Sequence, residues 1–146
     1  MITEDYVSFE TAKLLKEKGF NERLLTFYIT DESKKDGCFQ LMAFTDDKID
    51  NNHSDHCYLA PTLQMAMKWL REVHDLHIMV NCVGKVNYDP IVQRFDGKDF
   101  EIEGVEVGTT RRINGKWENV RRGFKTYEQA CEAAIKYCLE NLINLI

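Results

Sequence analysis

Apolar residues recur at three- and four-residue intervals in three stretches of the chain, which predicts three amphipathic helices. The first helix is expected to begin at Ser8, whose hydroxyl can accept a hydrogen bond from an amide two or three residues on. It is expected to end at Gly19, which suits the left-handed position of a Schellman motif and lets Phe20 pack on Leu15. Both ends of this helix are therefore predicted from side-chain chemistry.

The second and third helices are each predicted from a starting residue and an apolar stripe. The second has Pro61 in its first turn and runs to about His74. Its apolar face is formed by Ala66, Trp69, Leu70 and Val73. The third is capped by Thr126, and its stripe consists of Ala130, Cys131, Ala134, Cys138 and Leu142. On another face of the third helix, Glu132 and Lys136 have the spacing of an i,i+4 ion pair.

Between the helices, runs of strand-forming residues alternate with turn residues. The predicted strands cover Leu24–Thr30, Cys38–Thr45, His77–Val83, Tyr88–Phe95, Val105–Ile113 and Lys116–Phe124, with further strand-like alternation at 100–103. The His77–Val83 strand is expected to be buried, and Pro90 suggests an edge position for the strand that follows it. Turns are predicted at Asp96-Gly97 and Asn114-Gly115. The order α-ββ-α-ββββ-α predicts an α+β fold, with three helices on a mainly antiparallel sheet in a single domain over residues 1–146.

Composition describes an ordinary globular chain of 146 residues, with 44% hydrophobic residues and a net charge of −5. Its apolar runs fall short of the ~20 residues that span a bilayer, and the first residues are acidic where a secretory signal is basic. A cytoplasmic protein without a membrane partner is therefore expected. The five cysteines are expected to be thiols packed as small hydrophobes. No cofactor is predicted.

Two clusters of polar residues suggest chemistry, and each has an ordinary structural interpretation. His53, His56 and Cys57 are residue types that bind zinc, but no second Cys/His pair accompanies them, so a solvated loop over residues 46–55 is favoured. The pair His74 and Asp75 could serve acid–base catalysis, although a histidine in the last turn of a helix more often complements the helix dipole. We assign no catalytic residue, and a small metal-dependent enzyme is the least favoured hypothesis.

The predicted final hairpin reverses the charge of the chain. Between residues 109 and 125 there is one acid, Glu118, against six cations: Arg111, Arg112, Lys116, Arg121, Arg122 and Lys125. Two-stranded ribbons can enter the major groove of DNA, where arginine binds phosphate and guanine. Adjacent arginines point to opposite faces of a strand, however, so about half of them can share one surface. The hairpin is either a nucleic-acid-binding element or a solvated ribbon that pairs with the acidic remainder of the chain.

Two resemblances are carried by these residues. The stretches Tyr6–Phe20, Ala60–Thr62, Lys68–His74 and Thr126–Ala130 resemble a group of small uncharacterised proteins that gut bacteria encode, often in prophages or other mobile regions. That resemblance implies a short cytoplasmic α+β protein and no particular activity. Over a shorter span, residues 117–130 are similar to the strand-to-helix junction of three-stranded DNA-binding domains, such as the AP2 type and the arm-binding domains of phage integrases.

The leading functional hypothesis is a non-enzymatic accessory protein of phage or mobile-element origin that acts through protein contacts. Met65, Met67 and Trp69 lie on several faces of the second helix, which is more apolar breadth than one core stripe needs. This breadth suggests a second burial surface and therefore a protein partner or a homodimer. The alternative is nucleic-acid binding by the hairpin of residues 109–125.

Overall fold

The computed structural model describes residues 2–30, 39–43, 55–82, 87–102, 110–113, 115–119 and 123–143. Within them lie the helices α1 (Phe9–Glu17), α2 (Leu63–His74) and α3 (Tyr127–Tyr137), the last continuing as a π-helical segment over Cys138–Leu142. The strands are β1 (Thr26–Thr30), β2 (Phe39–Ala43), β3 (Cys57–Leu59), β4 (Leu76–Cys82), β5 (Tyr88–Arg94), β6 (Asp99–Glu101), β7 (Thr110–Ile113) and β8 (Lys116–Asn119). The predicted α+β class, with three helices among antiparallel strands, is confirmed.

The strands are distributed over separate sheets. In the described residues, one sheet has the order β2-β1-β3, a second has the order β4-β5-β6, and β7 pairs with β8, all antiparallel. Strand β3 follows directly on the predicted loop of residues 46–55 and was not predicted. It spans only three residues, which is too short for alternation of apolar and polar side chains to be recognised.

Helix α1 begins and ends as its sequence predicts. The Ser8 hydroxyl oxygen accepts a hydrogen bond from the Thr11 amide. At the other end Gly19 has φ +89°, its amide donates to the Lys16 carbonyl, and the Phe20 amide donates to the Leu15 carbonyl. These two bonds are those of a Schellman motif, so the predicted stop is confirmed.

The start and the apolar face of α2 differ from the prediction. Thr62 is the N-cap, so Pro61 lies before the helix and not in its first turn. The Pro61 carbonyl accepts a hydrogen bond from the Val7 amide at 3.0 Å. Ala66, Trp69 and Leu70 are buried as predicted, but Val73 is 56% exposed. The chain leaves the helix at Asp75, in a left-handed conformation, and it is Leu76 that enters the core.

The second sheet corrects two expectations. Only Leu76 of strand β4 is fully buried, and Cys82 at its end is exposed. Strand β5 lies at the centre of its sheet, not at an edge. Pro90 is tolerated there because the β5–β6 ladder begins one residue later, at Ile91, while the Pro90 carbonyl still accepts a hydrogen bond from the Ile102 amide.

The core joins all three helices to both three-stranded sheets. Its fully buried side chains include Phe20 after α1, Leu59 of β3, Leu70 of α2, Val92 of β5 and Ile135 of α3. The predicted stripe of α3 is confirmed, with Ala130, Cys131, Ala134 and Cys138 buried and Leu142 partly buried. This core fixes the elements whose ends surround the groove described next.

Candidate functional site

A groove of about 730 Å³ opens beside the N-terminal half of α3. It is bounded by the segment that precedes α1, by strands β1 and β2, and by the start of α2. Its apolar floor consists of Tyr28, Leu41, Leu63 and Ala133, Phe124 belongs to one wall, and its acidic rim consists of Glu4, Asp5, Glu128 and Glu132. A cavity of this size has the volume that proteins use to hold a ligand or several side chains of a partner.

The floor is held in place by the register of the first sheet. Tyr28 of β1 stands directly opposite Leu41 of β2, so both positions share one face of the sheet. The Tyr28 hydroxyl donates a hydrogen bond to the Val7 carbonyl at 2.6 Å, and burial, with a smaller contribution from the Glu132 charge, raises the pKa of Tyr28. Tyr28 is therefore a fixed donor, whereas Leu41 is 41% exposed to the groove.

Phe124 forms part of the opposite wall, and backbone pairing fixes its position. The Tyr88 amide donates to the Phe124 carbonyl at 2.8 Å and the Phe124 amide donates to the Tyr88 carbonyl at 2.9 Å. The preceding residue, Gly123, allows this close approach because a Cβ atom there would lie 1.7 Å from Oδ1 of the buried Asn87. A side chain at residue 123 would therefore displace the wall of the groove.

Glu132 connects the rim to the core. Its Oε1 atom accepts hydrogen bonds from the Ser8 amide at 3.0 Å, from the Thr11 hydroxyl at 2.5 Å and from the Ser8 hydroxyl. These groups belong to the first turn of α1, where a carboxylate is favoured by the unsatisfied amides and by the helix dipole. The predicted Glu132–Lys136 pair forms no direct contact: Glu132 bonds the first turn of α1 and Lys136 pairs with Glu10 at 3.0 Å, so the two charges interact only at longer range.

The remaining rim carboxylates have no partner in the part of the chain that the structure describes. Within the described part of the chain, the side chains of Glu4, Asp5 and Glu128 form no ion pair and accept no hydrogen bond. The described lining also includes no lysine, arginine or histidine. The described lining of the groove is therefore acidic beside apolar surface.

The candidate metal ligands do not converge where the structure describes them. Cys57 is buried at the start of β3, whereas His56, in the turn before the strand, is exposed. His53 lies outside the described residues. No group of three potential metal-binding side chains occurs among the residues that the structure describes.

The histidines around the end of α2 have separate roles. His77 pairs with Asp75, with 2.8 Å between Nε2 and Oδ1, and both side chains are largely exposed. The His74 ring packs edge-on against Trp69, and its buried Nε2 has no hydrogen-bond partner in the described residues. Burial lowers the pKa of His74, which disfavours the charged ring and weakens the predicted interaction with the helix dipole.

The basic hairpin forms with the predicted turn. Gly115 has φ +79°, and the register sets Arg111 opposite Glu118, Arg112 opposite Trp117 and Ile113 opposite Lys116. Directly opposite positions share a face of an antiparallel pair and successive positions alternate, so Arg111 and Arg112 are at positions that belong to opposite faces of the ribbon. Lys125 is exposed. Arg121 and Arg122 lie outside the described residues.

The described cysteines other than Cys82 are buried in the core. Burial raises the pKa of Cys138 to about 12 and raises that of Cys131, which keeps both thiols protonated and unreactive. Cys57 is buried as well. These three residues act as small hydrophobes, as the sequence predicts.

Sequence reasoning did not find the groove, because its lining comes from five separate segments between residues 4 and 133. One signal was available. Glu128 and Glu132 repeat a carboxylate at i,i+4 on α3, which is unfavourable unless a partner compensates it.

Comparisons with protein-family models, characterised proteins and solved structures find no match to this chain. Among the described residues, no helix is both long enough and apolar enough to cross a bilayer.

Proposed function

We propose that this chain is a non-enzymatic accessory protein, of phage or mobile-element origin, that acts by binding a polypeptide segment in the groove beside α3. The observation that carries the proposal is the adjacency of exposed apolar surface and carboxylates that have no partner among the described residues. Glu128 and Asp5 face the same opening as Leu41 and Phe124. The buried hydroxyl of Tyr28 already donates its hydrogen to the main chain and is not free to act on a substrate. This favours a groove that binds over one that catalyses.

The chemistry of the lining selects the kind of segment. A bulky apolar side chain placed on Leu41 and Phe124 would gain roughly 1.5–3 kcal/mol from burial. A lysine or arginine beside it would meet carboxylates that no described residue neutralises, which favours fast, salt-dependent association. A segment in which basic and apolar residues alternate satisfies both requirements, and an acidic segment is repelled.

A labelled peptide of alternating arginine and leucine residues tests the proposal by fluorescence anisotropy. We expect binding that weakens as salt rises, and a loss of affinity of at least about tenfold in Glu128→Lys, which places a cation at the rim. Glu72→Lys is the matched control, because Glu72 is an exposed acid on α2 outside the groove lining. Equal affinity of both variants, or no binding at low salt by a chain that light scattering shows to be monomeric, would reject the groove as a peptide site.

Nucleic-acid binding by the β7–β8 hairpin is the second candidate function. What favours it is the two-stranded ribbon itself, which carries Arg111, Arg112 and Lys116 around the Gly115 turn. Such a ribbon would bind the phosphate backbone with a strong salt dependence. The net charge of −5 and the acidic groove oppose it, and for this reason protein binding is the first proposal.

A further inference from the structure

We infer that the occupant of the groove is the β7–β8 hairpin of a second copy of this chain, so that two copies fill each other's grooves in a symmetric dimer. The inference rests on the proposed function, because it requires a groove that binds a basic and apolar segment. It assigns that segment to this protein's own sequence.

The first argument is charge complementarity within one chain. The β7–β8 hairpin carries Arg111, Arg112 and Lys116 against one acid, Glu118, and three further cations follow it in the sequence, although the chain as a whole has a net charge of −5. The groove carries four carboxylates and, in its described lining, no cation. One molecule therefore presents both halves of a complementary contact, which is the requirement for a self-associating surface.

The second argument is the register of the hairpin. Arg112 stands directly opposite Trp117, so one face of the ribbon combines a cation position with an aromatic position. The groove combines carboxylates with Leu41 and Phe124 in the same way. Tryptophan and arginine are also the residue types that most often dominate the energy of protein interfaces.

The third argument is symmetry. If the hairpin of one copy fills the groove of another, a two-fold axis lets the second hairpin fill the first groove with the same contacts. The dimer then has two equal contacts, and the second forms at the high effective concentration that the first creates. This dimer differs from the one suggested by the second helix, since Met67 and Trp69 are buried within their own chain and only Met65, 40% exposed, remains available.

Light scattering after size exclusion, at about 50 mM and about 500 mM salt, tests the inference with charge reversals. We expect the wild type to be a dimer at low salt and to dissociate at high salt. Glu128→Lys and Arg112→Glu should each weaken dimerisation by at least about tenfold per contact, hence about a hundredfold for the two contacts. The two changes in one chain restore opposite charges in each contact, so they should recover the dimer. Glu72→Lys should leave it unchanged, and circular dichroism checks that every variant is folded.

Several results would overturn the inference. The inference fails if the wild type is monomeric at low salt at every protein concentration tested. It also fails if neither single variant weakens the dimer, or if the double variant dimerises no more tightly than the single variants. If the monomer still binds the arginine–leucine peptide, the proposed function survives and only the choice of occupant fails. If Arg112→Glu abolishes binding of a monomeric chain to duplex DNA, the hairpin is instead a nucleic-acid surface.

Discussion

The two halves of α3 bind their surroundings differently, although one stripe of side chains runs through both. Glu128, Glu132, Lys136 and Glu140 lie at four-residue intervals along it. In the C-terminal half, Lys136 contacts Glu10 of α1 at 3.0 Å and Glu140 at 3.9 Å. In the N-terminal half, Glu128 has no partner among the described residues, and the groove opens beside it.

The position at which α1 begins explains this difference. Its first turn meets α3 at Glu132, and from there onward α1 covers α3. The first turn of α3 lies beyond the start of α1, next to the extended segment that contains Asp5 and Tyr6. One half of the helix is therefore neutralised by described residues of α1, whereas the other half presents charge and apolar surface at the groove.

The largest expected effect on stability comes from removing an apolar side chain, and it should differ between the core beneath α3 and the groove. Ile135 of α3 is fully buried, so Ile135→Ala should cost about 2–5 kcal/mol of unfolding free energy. Leu41 is 41% exposed, so Leu41→Ala should cost less than about 1 kcal/mol. Leu41→Ala should nevertheless weaken peptide binding. Urea denaturation and anisotropy measure the two quantities. Similar stability losses would show that the groove floor is part of the core.

Removing one carboxylate at a time from the stripe gives an intermediate effect. In Glu132→Ala the buried Thr11 hydroxyl loses its acceptor, and we expect a loss of about 1–3 kcal/mol. Glu128→Ala loses only a favourable charge at the helix start, about 0.3–1 kcal/mol. Glu132→Gln should recover part of the loss, since an amide oxygen can accept the same bonds. The reverse order in thermal or urea unfolding would contradict the role of Glu132 as an acceptor for the first turn of α1.

Local features of the fold were predictable from sequence wherever neighbouring residues alone determine them. The cap at Ser8, the stop at Gly19 and the Gly115 turn each depend on a few adjacent residues, and the structure has all three. Expectations that depended on distant packing failed. The Pro61 carbonyl accepts a hydrogen bond from the Val7 amide, and the Pro90 carbonyl accepts one from beyond the end of β6. Neither donor is close to its proline in sequence.

The candidate site was less predictable for the same reason. Glu4, Leu41, Phe124 and Glu128 are far apart along the chain, and only the fold brings them to one opening. The sequence also does not show what Glu132 of the acidic repeat on α3 binds. It was expected to pair with Lys136, and instead it accepts hydrogen bonds from the first turn of α1. The charge of the hairpin was evident from sequence, but a surface complementary to it becomes visible only in three dimensions.

The smallest expected effect concerns the ion pair that closes the C-terminal half of α3. The hydrogen bond and the charge of Lys136 lower the pKa of Glu10 below its ordinary value of 4.5. A carboxyl whose pKa is lowered by folding stabilises the protein above its unfolded pKa, and this contribution is lost as the pH falls through the folded value. Lys136→Gln should therefore make the melting temperature less sensitive to pH between about pH 6 and about pH 3.

The exposed Lys68 of α2, changed to glutamine, is the control for that measurement, because it removes the same charge without removing the contact to Glu10. Both side chains of the Lys136–Glu10 pair are exposed, so the effect should be small and should shrink further in high salt. If Lys136→Gln and Lys68→Gln change the pH dependence equally, net charge accounts for it. The contrast between a neutralised and an open half of α3 would then depend on the groove carboxylates alone.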